Sequence, residues 1–185
     1  MFNPNLIMNQ SLGLSSPSCE RERGGEAIKA ALSLFRKVRV RGWLARTWGK
    51  LTGRLPSLIS LSEVEKKCTV RGRCYDGIHS VPLDKIRGSE GREQDFDAHF
   101  NPLHASDRDR WVGVAAAWQS RASLPPVELI QVGDVYFVRD GHHRISVARA
   151  LGQEAIDAEV TVWRVSGPLP WEQRQPAYQP AQQII

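Results

Sequence analysis

Tyr136-Phe137-Val138-Arg139-Asp140-Gly141-His142-His143-Arg144-Ile145-Ser146-Val147-Ala148-Arg149-Ala150-Leu151-Gly152 decides the reading of this 185-residue chain. A β-prone run enters a turn at Gly141, a helical pattern starts at once, and Gly152 stands where a helix stops. Glycine at such a corner lets a ligand approach the backbone closely. The first N–H groups of the helix have no intrahelical partner, and the macrodipole places partial positive charge on them. Arg144, and His142 or His143 when protonated, add charge-assisted donors worth ~1.5–3 kcal/mol each to a bound phosphate. Asp140, a carboxylate beside an anion site, suits a magnesium ligand, a base, or a group that orients a histidine. Plainer roles exist: Gly141 as a turn residue, and Asp140 as a cap on the amides of 142 and 143. Adjacent histidines cannot both face one ligand, so one is expected to find its partner inside the protein. A zinc site from Asp140, His142 and a distant His99 or His104 matches no metal-ligand spacing.

Outward from this corner the pattern is mixed. On its N-terminal side, 127–132 and 135–138 are β-prone runs joined by Gly133-Asp134, a hairpin signal. Leu124-Pro125-Pro126 precedes them and ends a helix that the capping-box pair Ser106 and Asp109 would open, with Trp111, Val114, Ala115 and Trp118 as its core face. Residues 87–92 (RGSEGR) read as a polar loop after a strand over 78–86, whose Pro82 implies an edge position. On the C-terminal side, 156–165 closes as a strand and 166–185 is a Pro/Gln-rich tail. Residues 1–24 read as a flexible tail and 25–76 as a basic helical extension. Within the extension, Ile28, Ala31, Leu32, Phe35 and Val38 form one apolar stripe. Leu44, Trp48 and Leu51 would point about 160° away on a continuous helix, so two helices, or one bent at Gly42, are expected. Leu58 to Lys67 reads as a further short helix.

The formal net charge is +5, but it is concentrated. Residues 1–54 carry ten Lys/Arg against three Glu, and the remaining 131 carry fifteen basic and seventeen acidic groups. The basic arm, with Arg36, Lys37, Arg39, Arg41, Arg46 and Lys50, is a candidate nucleic-acid contact. An anionic membrane face or an acidic protein would satisfy the same field, and a solvated helix face is the plainest alternative. The length suits one domain with extensions rather than two. No run is long and apolar enough to span a bilayer, and no secretory signal opens the chain. Cys19, Cys68 and Cys74 lack disulfide or zinc spacing and read as reduced thiols of a cytoplasmic protein.

Residues 78–165 resemble the ParB/sulfiredoxin superfamily, specifically its ParB-like N-terminal domain. The resemblance rests on Arg92 with Phe96-Asp97, the helix around Trp111 and Trp118, Leu124-Pro125-Pro126-Val127, Gly141-His142-His143-Arg144, Leu151-Gly152 and the strand from Ile156. It implies an α+β fold, a small mixed β-sheet with packed helices over 77–165. It also implies nucleotide phosphates held at the Gly-x-x-Arg turn, with Arg92, Gly141, His142, His143 and Arg144 as contacts. ParB-like proteins usually carry Gly-Glu-Arg-Arg there, so the two histidines are a departure. Sulfiredoxins place a nucleophilic Cys before His-Arg; His142 occupies that position, which argues against sulfinic-acid repair. The Asp-Gly-His-His-Arg form is closer to relatives with phosphotransferase activity, and on that analogy Glu90 is the candidate base. A loop ion pair with Arg87 or Arg92 is its plainer role. No helix-turn-helix of the partition type fits after residue 165.

Three readings follow. The first is a protein binding a nucleoside di- or triphosphate, or DNA or RNA through the arm, with a homodimer compatible. The alternative is a magnesium-dependent phosphotransferase or nuclease, with Glu90 as base, Asp140 on the metal, and Arg92, His143 and Arg144 clamping charge. The third is an adaptor anchored by Trp43 and Trp48.

Overall fold

The pleat of the sheet organises the molecule. The computed structural model describes residues 17–52 and 57–172. In chain order they form α1 (Pro17–Thr52), β1 (Ile59–Ser60), α2 (Leu61–Lys67), β2 (Thr69–Pro82), β3 (Ile86–Ser89), α3 (Arg108–Gln119), β4 (Val127–Val132), β5 (Val135–Asp140), α4 (His142–Ala150) and β6 (Ala155–Ser166). The strands make one six-stranded mixed sheet in the order β1-β3-β5-β4-β6-β2. β4 and β5 are the predicted antiparallel hairpin, with Val132 opposite Val135. β4 runs parallel to β6, β3 parallel to β5, and β2 antiparallel to β6. The protein is α+β.

Alternation along β4 and β5 supplies both cores. Val127, Leu129 and Val138 pack with Ile145 and Ala148 of α4 and with Phe96 and Phe100. Ile130, Val132, Val135 and Phe137 pack on the opposite face with Leu61, Val64 and Trp163. This is the two-residue period expected of strands covered on both sides. A third cluster lies between helices: Ala31, Phe35 and Val38 of α1 meet Trp111, Val112 and Ala115 of α3 and Val147 of α4. The Trp111 indole N–H donates to Ser146 Oγ at 2.8 Å, so α3 is fixed to α4 by a satisfied polar contact inside an apolar layer.

Several expectations need correction. α1 is one helix that runs through Gly42 rather than two. Gly42 is buried, and a Cβ there would lie 3.1 Å from Asn101 Cβ, so it marks a close approach rather than a hinge. The helix also begins at Pro17, so 17–24 do not belong to a loose tail, and at the other end Leu169 and Trp171 pack on the core beside Phe137 rather than in a tail; residues 1–16 and 173–185 lie outside the described residues. Within 25–76, β1 and most of the span after Cys68 are strand, because β2 runs fourteen residues along β6 with bulges near Gly72 and Gly77. Pro82 does sit on an edge strand, where its missing N–H costs no ladder bond. Arg87, Gly88 and Ser89 belong to β3 rather than to a loop. Gly88 allows this, since a Cβ would lie 2.2 Å from a Phe137 ring carbon. Ser106 caps nothing: α3 starts after a short 3-10 turn, with Asp107 at the N-cap and no side-chain cap bond.

Candidate functional site

The corner after β5 is built by one residue that only glycine satisfies. Gly141 has φ 95° and ψ 20°, and a Cβ would lie 2.5 Å from Val127 Cγ1. Both the left-handed backbone and the crowding exclude other side chains. No side chain caps the first turn of α4, which opens on a concavity of about 330 Å³. Arg92, Arg110, Gly141, His142, His143 and Arg144 are among the residues lining it.

The two histidines part here. His142 is 3% exposed, with Nε2 2.8 Å from Ser89 Oγ and its ring stacked on Phe96. Burial, then the charge of Arg92 and the neighbouring His143, lowers its pKa to about 4, so it is neutral at pH 7. It ties the start of α4 to the end of β3. His143 is also buried, yet neither ring nitrogen has a hydrogen-bond partner. The nearest acid, Asp107 Oδ1, stands 3.7 Å from Nε2 and opposes a lowering of its pKa that burial dominates. Asp107 Oδ2 is likewise buried without a partner. An imidazole buried without partners at the wall of the cup is costly unless something fills the need.

Arg92 projects from the loop after β3. Its Nε donates to Asp95 Oδ2 at 2.7 Å, its Nη2 lies 3.7 Å from Asp107 Oδ1, and its guanidinium lies over Phe96. Arg144 lines the cup, but three of its N–H groups are engaged within the chain. Nη1 donates to the Pro125 and Pro126 carbonyls at 2.6 and 2.7 Å, and Nη2 donates to Asp140 Oδ2 at 2.7 Å. Its geometry is that of a clasp holding the 125–126 turn to α4. Asp140 faces Arg144 instead of capping the amides. Among the described residues no three His, Cys, Asp or Glu converge on a metal position, so none of them joins Asp140 in a cation site.

Glu90 stands apart. It accepts from Arg139 Nε at 2.9 Å on the surface, a different partner from Arg87 or Arg92, and does not line the cup. His104 lies 3.7 Å from Asp95, away from any zinc arrangement with His142. Asp97 is a loop latch, accepting from the backbone N–H of His99 and Asn101 at 2.8 and 2.9 Å. Asp107, Arg110 and Ser89 were not singled out in the sequence. Asp107 and Arg110 stand three apart at a helix start, a spacing that could have suggested a shared face.

Arg36, Lys37, Arg39, Arg41 and Arg46 are all solvent-exposed along α1, while the side chain of Lys50 lies outside the described residues. Cys68 is buried and Cys74 exposed, both as free thiols, and Cys19 lies where no side chain is described. No helix among the described residues is long and apolar enough to cross a membrane.

No family model matches the chain, and no curated protein matches it. Among solved structures, the crystal structure of sulfiredoxin from Arabidopsis thaliana is similar to 45% of this chain and to 82% of its own. The identity is 20% and the TM-score 0.35.

Proposed function

We propose that the cup at the start of α4 binds the phosphates of a nucleoside di- or triphosphate. The observation that carries this reading is His143, an imidazole enclosed at 5% exposure with both nitrogens unpartnered, beside an uncapped helical turn. A phosphate oxygen supplies the acceptor that the buried imidazole N–H lacks. It accepts from the first-turn amides, from His143, and from Arg92 and Arg110. Gly141 keeps the approach to the backbone open. His142 has a different task, anchoring α4 through Ser89.

A second concavity of about 300 Å³ shares Arg144 as a wall and is lined by Trp118, Leu124, Pro125, Pro126 and Ile156. Its aromatic and aliphatic lining suits the base and sugar of a nucleotide whose phosphates occupy the cup. Calorimetric titration with ADP, ATP and CTP, with tripolyphosphate as the base-free probe, tests both halves. Binding of a nucleotide that weakens at least tenfold in His143→Ala supports the reading. No heat with any of these probes, or unchanged affinity in His143→Ala, overturns it. Trp118→Ala separates the halves: it should weaken the nucleotide and spare tripolyphosphate.

A further inference from the structure

A second feature, independent of that cup, lies on the outer side of α1. The N-terminal half of the helix buries Ala31, Phe35 and Val38 on α3. From Val40 onward its large apolar residues point the other way. Val40, Trp43, Leu44, Trp48 and Leu51 are 57%, 65%, 53%, 71% and 77% exposed. At 100° per residue they share an arc of about 140°, over a length of about 17 Å. Five such residues on one exposed helical face exceed the scattered apolar surface of an ordinary soluble domain.

The borders of this face are cationic. Arg39 and Arg46 lie along one edge, with Lys37 and Arg41 along the other, all exposed. No acidic residue occurs between Glu26 and Glu63. Beside the stripe, a groove of about 280 Å³ between α1 and Pro102-Leu103 holds Arg39, Trp43 and Arg46. It offers a place for a phosphate headgroup between two guanidinium groups.

We propose that this face of α1 lies in the plane of an anionic lipid surface, with Trp43, Leu44, Trp48 and Leu51 entering the headgroup boundary and Arg39, Arg41 and Arg46 meeting lipid phosphates. Charge complementarity requires an anionic occupant, and the apolar centre selects among anions. A nucleic acid would use the cations and could stack on the two tryptophans, but it would leave Val40, Leu44 and Leu51 in water. A second copy would bring like charge against like charge. A lipid interface satisfies both components of the pattern at once.

The test is co-sedimentation of the full chain with vesicles of phosphatidylcholine, with and without phosphatidylserine. The expected result is partitioning about tenfold or more stronger on the phosphatidylserine vesicles, accompanied by a blue shift of tryptophan emission. Trp43→Ser with Trp48→Ser should remove it by a similar factor in a variant whose circular dichroism shows it folded. Leu51→Glu should weaken it as well, giving a second variant that does not depend on the tryptophans. Arg39→Gln with Arg46→Gln should reduce binding to phosphatidylserine vesicles alone. His143→Ala should leave vesicle binding intact, so failure of the nucleotide reading and failure of this one are distinguishable. Absence of binding to either vesicle overturns the proposal. So does undiminished binding of the tryptophan variant. Retention of a single-stranded RNA oligonucleotide, or concentration-dependent self-association, with vesicles ignored would do the same.

Discussion

The cup at the start of α4 and the outer face of α1 are both rich in cations, yet they are built in opposite ways. In the cup, guanidinium and imidazole groups stand in a concavity where His143 holds buried ring nitrogens without partners. On α1 the cations stand in water on the flanks of an exposed apolar stripe. A concave, desolvated arrangement rewards a small ligand that supplies hydrogen bonds. A convex, amphipathic one rewards an extended surface that removes apolar area from water. Net charge, common to both, discriminates neither.

The comparison breaks first at Gly141. Replacement by Ala places a Cβ against Val127 at a left-handed φ, and a loss of about 3 kcal/mol or more in urea-unfolding stability is expected. A change below about 0.5 kcal/mol would mean that the corner is not held as described. Gly42→Ala, whose Cβ would come no nearer than 3.1 Å to Asn101 Cβ and 3.6 Å to Asp97 Oδ2, should cost much less.

Acid acts on the cup and spares α1. His142 keeps its imidazole neutral in the folded protein down to about pH 4, while the unfolded chain takes up a proton near pH 6.5. Between these values the unfolded state binds more protons, so stability is full above pH 6.5 and falls as the pH drops toward 4. The loss attributable to His142 is on the order of 3 kcal/mol. His143, also lowered, acts in the same direction. Denaturation curves across this range check it, and a flat profile would contradict the burial of the pair.

Next in size is the ligand effect. Removing one charge-assisted donor with His143→Ala should cost ~1.5–3 kcal/mol of nucleotide affinity, roughly tenfold to a hundredfold. The same site has a pH signature. A bound phosphate favours the protonated imidazole, so affinity should rise as pH falls below neutrality, and this slope should vanish in the variant. Smallest of all is Glu90→Gln. Its side chain is held by a surface pair with Arg139, so stability should change by under about 0.5 kcal/mol and nucleotide affinity not at all. A loss of binding there would move the site boundary outward to include the loop after β3.

Much of the fold could be read along the chain. The Gly133-Asp134 hairpin, the helix entered at Gly141 and stopped near Gly152, and the edge position of Pro82 follow from local backbone rules, and the structure has them. The departures have local causes of a different kind. β2 starts well before the expected strand because its partner β6 extends equally far, so pairing rather than propensity sets its length. Gly42, a helix breaker by composition, is retained within α1 because Asn101 approaches it closely. In the site, Gly141 was legible because its conformation is written in its own residue type. The division of labour between His142 and His143 was not, because it depends on Ser89 and Asp107, which are distant in sequence.

Local chemistry alone therefore determined where the chain turns, where a helix presents bare amides, and that two apolar sets flank Gly42. These depend on backbone sterics and on a fixed angle per residue, which neighbouring residues carry with them. Only the tertiary structure decided that one helix carries both sets, which of them is covered, which histidine is satisfied, and that Arg144 is committed to the chain's own carbonyls. Those outcomes depend on the removal of water from particular groups by segments remote in the chain, and burial is a property of the assembled fold.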